Sequence, residues 1–305
     1  MGSMKGIGML IVANILIMVT LMISANVLIY FILPMFGIDL SGSFEARQLM
    51  FAAVFGFGGA FISLWMSKWM AKRGKNMQQV TNPSTAKEKL VYETTQALAQ
   101  RAGINMPEVW VYWDDVPNAF ATGPSRNNSM VAVSSGLAMN LTDDELKAVI
   151  AHEVGHIANG DMVATTLLQG LMNTIVYFIA SMLARIIANA LARGEQPSHL
   201  VYFMVSMVLQ MLLSFLAAIV VCAYSRKREF KADAYAADAL GAEPMIKALQ
   251  KIEALSQRSV EWEQRESRED ALATMKIYAA HGGMAGLFAT HPSIADRIAA
   301  LRNRR

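Results

Sequence analysis

The sequence predicts an α+β membrane protein: about four transmembrane helices, with polar blocks between and after them that combine helices with a small β-sheet. Three observations carry the prediction. Of 305 residues, 54% are hydrophobic and 17% charged, where soluble domains carry roughly a quarter charged residues, and the mean hydropathy is +0.32. Four stretches stay apolar for about the 20 residues that a helix needs to cross a hydrocarbon core of about 30 Å. Short β-branched or aromatic runs at 109–113, 118–121 and 130–133 are separated by Asp-Asp-Val-Pro and Gly-Pro-Ser, a spacing that suits strands and turns.

The first apolar stretch, 7–33, ends at Pro34 and Gly37; it is too long for a signal-peptide core and reads as an anchor. The second is 49–66, the third 163–183 and the fourth 200–224. Arg185 lies just past the third and can snorkel if that span ends there. Lys5 precedes the first span; Lys68, Lys72, Arg73 and Lys75 follow the second, and Arg226, Lys227 and Arg228 follow the fourth. Basic flanks stay preferentially on the cytoplasmic side, so both termini and both polar blocks are expected in the cytoplasm. The chain then divides into an anchor (1–75), a first polar part (76–161), a second hydrophobic pair (162–225) and a second polar part (226–305).

In the polar parts, Leu90, Val91, Ala97 and Leu98 recur at helical spacing up to Gly103, a C-terminal stop. The charged, aperiodic stretch 256–270 is expected to be a surface loop. A net charge of +3, with no basic run outside the membrane flanks, excludes nucleic-acid binding as a main role. The single cysteine, Cys222, excludes an internal disulfide and a cysteine metal cluster. Of the 22 methionines, ten lie in the four apolar stretches, where they are expected to serve helix contacts.

Chemistry enters at Thr142, which with Glu145 forms a capping box for a helix whose apolar face carries Leu146, Val149, Ile150 and Ile157. On that helix sits His152-Glu153-Val154-Gly155-His156. Histidines four apart lie about 40° apart around the axis, so both imidazoles can face one ion. Glu153, beside them, can take a proton from water at the metal. This is the zincin arrangement, and catalytic zinc also needs a third protein ligand. Position 162 is methionine, so no histidine follows at metzincin spacing. The candidate is Glu229, because two spans separate it from His152 and the chain returns to the same face. Asp233, one turn later, can accept a hydrogen bond from a ligand histidine. Without the zincin motif, the two acids would read as balancing a basic juxtamembrane helix.

With these residues in hand, the sequence resembles the HtpX branch of the M48 metallopeptidases, membrane relatives of the CaaX prenyl proteases. The likeness covers nearly the whole chain: paired N-terminal spans, Asn118-Ala119-Phe120-Ala121-Thr122-Gly123, the His152–His156 motif with Ile157-Ala158-Asn159-Gly160-Asp161, a second pair of spans, Glu229 through Asp233, and His291-Pro292. It implies a gluzincin-like, mainly helical zinc protease domain with one Zn2+ per chain. The implied enzyme is a zinc endopeptidase of the bacterial inner membrane that cuts misfolded or surplus membrane proteins on the cytoplasmic side. Its partners would be those substrates and the lipid bilayer, and a homo-oligomer stays open. The resemblance also implies that Asn118, Ala119, Phe120 and Ala121 form an edge strand for extended substrate. His291 and Arg297 match positions that line the site, where a cation would stabilise oxyanion charge.

Two other function classes compete. A transporter needs ionisable groups deep in its spans, and these hold Asn14, Asn26, Asn173 and Gln210 but no central acid. A zinc-stabilised membrane scaffold or adaptor without turnover needs the ligands but not Glu153.

Overall fold

The computed structural model describes residues 16–40, 42–74, 76–192, 194, 196, 198–266 and 287–304, with 256–266 described by backbone alone. Expectations placed on Lys5, 7–15, Lys75 and 267–270 lie outside the described residues. In chain order the elements are α1 (Leu16–Met35), α2 (Phe44–Lys72), β1 (Met77–Gln79), α3 (Ala86–Ala102), β2 (Glu108–Tyr112), β3 (Ala119–Ser125) and β4 (Asn128–Ser134). Then follow α4 (Ser135–Asn140), α5 (Asp143–Asn159), α6 (Asp161–Leu191), α7 (His199–Leu240), α8 (Ala242–Glu266) and α9 (Ile294–Arg302).

Among the described residues, helices α1, α2, α6 and α7 are long and apolar enough to cross a membrane. The last three run past the uncharged stretches that identify them, because Arg, Lys and Glu at their ends are good helix formers and do not stop the hydrogen-bond ladder. The stretch 256–266 is helical, as the C-terminal half of α8, and not the loop expected from its charge. It contains neither glycine nor proline, and Glu, Gln and Arg favour helix.

The chain forms two units. One holds the described residues of Met1–Ser63 with Thr166–Val221; the other holds Leu64–Thr165 with Cys222–Arg305.

The first unit is built from the apolar helices. Its outward side chains include Phe31, Ile186, Leu200, Phe203, Met211 and Leu216, all exposed, as suits a lipid solvent. Inside, α2 and α6 meet at small residues: a Cβ added to Gly56 would lie 2.4 Å from Thr174 Oγ1 and 2.7 Å from the Gly170 carbonyl oxygen. Phe55 and Tyr177 stack nearby with ring centres 6.2 Å apart. Arg185 is paired as well as near a helix end. Its Nη1 lies 3.2 Å from Glu45 Oε1, and its guanidinium covers the Phe44 ring at 4.0 Å.

The second unit contains a sheet of order β1-β2-β4-β3. β2 and β4 are parallel, the other pairs antiparallel, and β3 forms an edge. β4 is central, and Met130, Val131, Ala132 and Val133 are all fully buried, which explains the unbroken apolar run. α5 packs against α3, α8, β3 and β4, burying Leu146, Ile150, Val154 and Ile157. α3 carries the capping box Thr85/Glu88 at one end and Gly103 at φ +63° at the other. The end of α7 is tied to α3, since Arg101 donates to the Asp238 carbonyl at 2.7 Å and Tyr235 Oη to that of Leu98 at 3.3 Å.

Gly56→Val should force α2 and α6 apart and lower the stability of the detergent-solubilised protein by about 1–3 kcal/mol, the usual cost of overpacking. Gly59→Ala, where an added Cβ meets nothing within 4 Å, should be neutral. Thermal unfolding followed by circular dichroism checks both.

Candidate metal centre

The site begins with the caps of α5. Thr142 accepts from the Glu145 amide, Glu145 Oε2 accepts from the Thr142 amide at 2.8 Å, and Gly160 ends the helix at φ +71°. Between these caps His152 and Glu153 stand side by side, one turn before His156; the first two are buried and His156 partly so. Gly155 lies where α7 crosses: a Cβ there would sit 3.1 Å from Tyr235 Cβ and 3.3 Å from Ala232 Cα. The absent side chain at Gly155 eases this close approach of the two helices, which brings Glu229 to the histidines.

His152 Nε2 and His156 Nε2 are 3.1 Å apart; Glu229 Oε2 is 3.4 Å from the former and Glu229 Oε1 3.3 Å from the latter. Each imidazole uses its other nitrogen elsewhere. His152 Nδ1 donates to Asp233 Oδ1 at 2.9 Å and His156 Nδ1 to Asp161 Oδ2 at 2.7 Å. Both Nε2 atoms therefore face the Glu229 carboxylate, an arrangement that either a proton on a ring nitrogen or a metal ion among the three would stabilise. Tetrahedral zinc with bonds of about 2.0–2.1 Å has ligand atoms about 3.3 Å apart, so this donor set fits it. Glu229 Oε2 is buried and, besides its ion-pair contacts, makes no well-aligned hydrogen bond among the described residues. Among the described residues, His152, His156 and Glu229 form a group that can hold a metal ion.

Asp233, buried, is held in turn by Arg297, whose Nε and Nη2 donate to its two oxygens at 2.8 and 2.6 Å. Arg297 itself is 8% exposed, and its Nη1 lies 3.3 Å from Glu229 Oε2. It fixes Asp233 and, through it, His152. His291 differs: its side chain is 65% exposed while Nδ1 lies 3.0 Å from Glu229 Oε2. Burial alone would lower the pKa of both ring systems, and Arg297 pushes the same way. Asp233 and Glu229 beside His152, and Glu229 and Glu153 beside His156, outweigh this and raise both. Arg297 is likewise raised, with Asp233 overcoming the effect of burial.

The residues 118–121 lie beside α5 on the edge strand, with Asn118 just ahead of β3 and Ala119, Phe120 and Ala121 paired to Val133, Ala132 and Val131. Asn118 is exposed; its amide donates to Ser134 Oγ and its carbonyl accepts from the Ser134 amide, both at 2.9 Å. Tyr112, packed on Phe120, is pushed up to about 12 by burial, with Asp114 and Glu153 adding, so its phenol stays protonated.

Sequence reasoning did not assign Asp161. It opens α6, is buried, and is also paired with Arg228, which donates to the Asn159 carbonyl at 3.0 Å. Its signal was present: an acid directly after the C-cap glycine, one residue beyond the turn from His156.

The Peptidase family M48 model matches residues 85–305. Protease HtpX of Idiomarina loihiensis is 41% identical over 306 residues, spanning 99% of this chain and 100% of that one. Protease HtpX of Shewanella piezotolerans is 44% identical over 98% of this chain and 99% of its own. The crystal structure of S. mikatae Ste24p is similar in fold, with a TM-score of 0.56 at 18% identity, over 95% of this chain and 65% of that one.

Asp161→Ala should weaken zinc affinity about 10- to 100-fold, as expected when a partner of a ligand histidine is lost. Lys227→Ala, an exposed neighbour of Arg228, should leave affinity unchanged. Competition against a chromogenic chelator measures both.

Proposed function

The chain belongs to peptidase family M48 and is a membrane-bound metalloendopeptidase, and from that premise we propose a zinc enzyme that cuts misfolded or surplus membrane proteins at the cytoplasmic face of the bacterial inner membrane. The observation that carries this reading is the convergence of His152 Nε2, His156 Nε2 and Glu229 within 3.4 Å beside Glu153. On this reading 76–161 and 226–305 are two parts of one catalytic domain, each followed or preceded by membrane-spanning segments.

His152, His156 and Glu229 would hold a zinc ion, which when bound would supply Lewis acidity toward water and the scissile carbonyl. Glu153 takes the proton of the attacking water and returns it to the departing amine. Asp233 and Asp161 fix the histidine tautomers so that both Nε2 atoms face inward. His291, exposed beside Glu229, is positioned to donate to negative charge developing on the carbonyl oxygen. The outer edge of β3 from Asn118 to Ala121 can pair with an extended substrate through main-chain groups. Such pairing ignores most side chains, which suits a protease that removes damaged proteins of many sequences.

The cytoplasmic assignment rests on the basic residues that follow the second and fourth apolar stretches. In the second of these clusters Arg226 and Arg228 also serve the fold, while Lys227 is exposed.

Glu153→Gln should keep about one zinc per chain and lose cleavage of an unfolded protein such as casein by about 10²- to 10⁴-fold. Glu229→Ala should lose both zinc and activity. Metal analysis beside a cleavage assay on detergent-purified protein checks the pair, and a Glu153→Gln variant with wild-type turnover would contradict the mechanism.

A further inference from the structure

On α7 four residues stand at i, i+4, i+7 and i+11: Cys222, Arg226, Glu229 and Asp233. At 100° per residue they fall within a sector of about 60°, one stripe of the helix. The last two serve the metal centre. The first two hold the chain that delivers His291. Arg226 Nη1 donates to the carbonyls of Leu287 and Ala289, at 3.1 and 2.7 Å, and Cys222 Sγ donates to that of Phe288 at 3.3 Å.

Three consecutive carbonyls are thus received by two side chains one helical turn apart. The segment gains little from burial, because the side chains of Leu287 and Phe288 are 43% and 41% exposed. Beyond His291 the chain is fastened again, by the Ser293 cap of α9 and by Arg297 on Asp233. His291 lies between the two fastenings, and the same stripe that presents Glu229 sets the segment's path over it.

We propose that Arg226, supported by Cys222, is a positioning residue for the reaction: it pins residues 287–289 to α7 so that the His291 imidazole is held over the metal centre. This rests on the role given above to His291 in a zinc endopeptidase. Arg226 is not one of the metal-ligand candidates and acts through the carbonyls of Leu287 and Ala289, so its loss should leave the ligands intact and release the imidazole. The same nitrogen serves two carbonyls, so a lysine can replace part of the function.

The test is a double-mutant cycle on the full-length, zinc-loaded protein in detergent, with Arg226→Ala, His291→Ala and the double variant. Arg226→Ala should lower kcat about 10- to 100-fold, the scale of a lost hydrogen bond to a charged group, and keep zinc affinity within about threefold of wild type. The double variant should be no slower than His291→Ala alone, and Arg226→Lys should fall between Arg226→Ala and wild type. Without any substrate, amide hydrogen exchange of Arg226→Ala should speed up at 287–291 and stay unchanged in α5. Multiplying effects in the double variant, zinc loss in Arg226→Ala, or unchanged exchange at 287–291 would each overturn the proposal. Wild-type protein without zinc-dependent cleavage would instead overturn the function on which it rests, while the exchange result would still report on the pin.

Discussion

Two imidazole lone pairs and one carboxylate are held within 3.4 Å of one another in a largely buried place, and much of the second unit follows from the need to keep them there. Their separations suit a shared ion only if each side chain keeps its orientation, so each is gripped from behind. α5 supplies the rigid base, capped at both ends and packed by α3, α8, β3 and β4. α7 supplies the third group, crossing α5 closely at Gly155, which has no side chain there. The helix pair, and not any loop, sets the separations, which is what a site of fixed geometry requires.

The grip is electrostatic, and its charges alternate. His152 is backed by Asp233 and Asp233 by Arg297; His156 is backed by Asp161 and Asp161 by Arg228. Each buried carboxylate meets a cationic or hydrogen-donating partner, and breaking such a buried pair typically costs about 3–5 kcal/mol because one charge is left alone. The two chains of contacts enter from different parts of the sequence. One closes through α9, the other through the turn between α5 and α6, so the centre ties together segments that are far apart in the chain.

The legible parts of the fold were those in which local chemistry and periodicity coincide. The capping box at Thr142, the two histidines four apart, and the runs that become β2 and β4 can all be read from spacing. Glu229 required topology, since nothing local distinguishes it from Lys- and Arg-balanced acids, and Asp233 followed from it by one helical turn. Asp161 was not assigned because it reaches back across Gly160 from a different helix, a contact that periodicity does not encode. β1 escaped notice because Met77, Gln78 and Gln79 are not strand formers and are held by pairing with β2. Arg226 and Arg228 looked like flanking charges of a span, and their carbonyl and carboxylate partners become visible only when distant segments are placed beside them. The burial of Arg297 had the same cause: its sequence neighbourhood reads as a charged C-terminal tail, and its partner lies 64 residues earlier.

The central claim is that one ion is shared between α5 and α7. Zinc K-edge X-ray absorption of the purified, zinc-loaded protein tests it most directly. The account predicts nitrogen and oxygen scatterers at about 2.0–2.1 Å, with the outer-shell signature of two imidazoles and no sulfur. A sulfur scatterer near 2.3 Å, or the signature of fewer than two imidazoles, would contradict it.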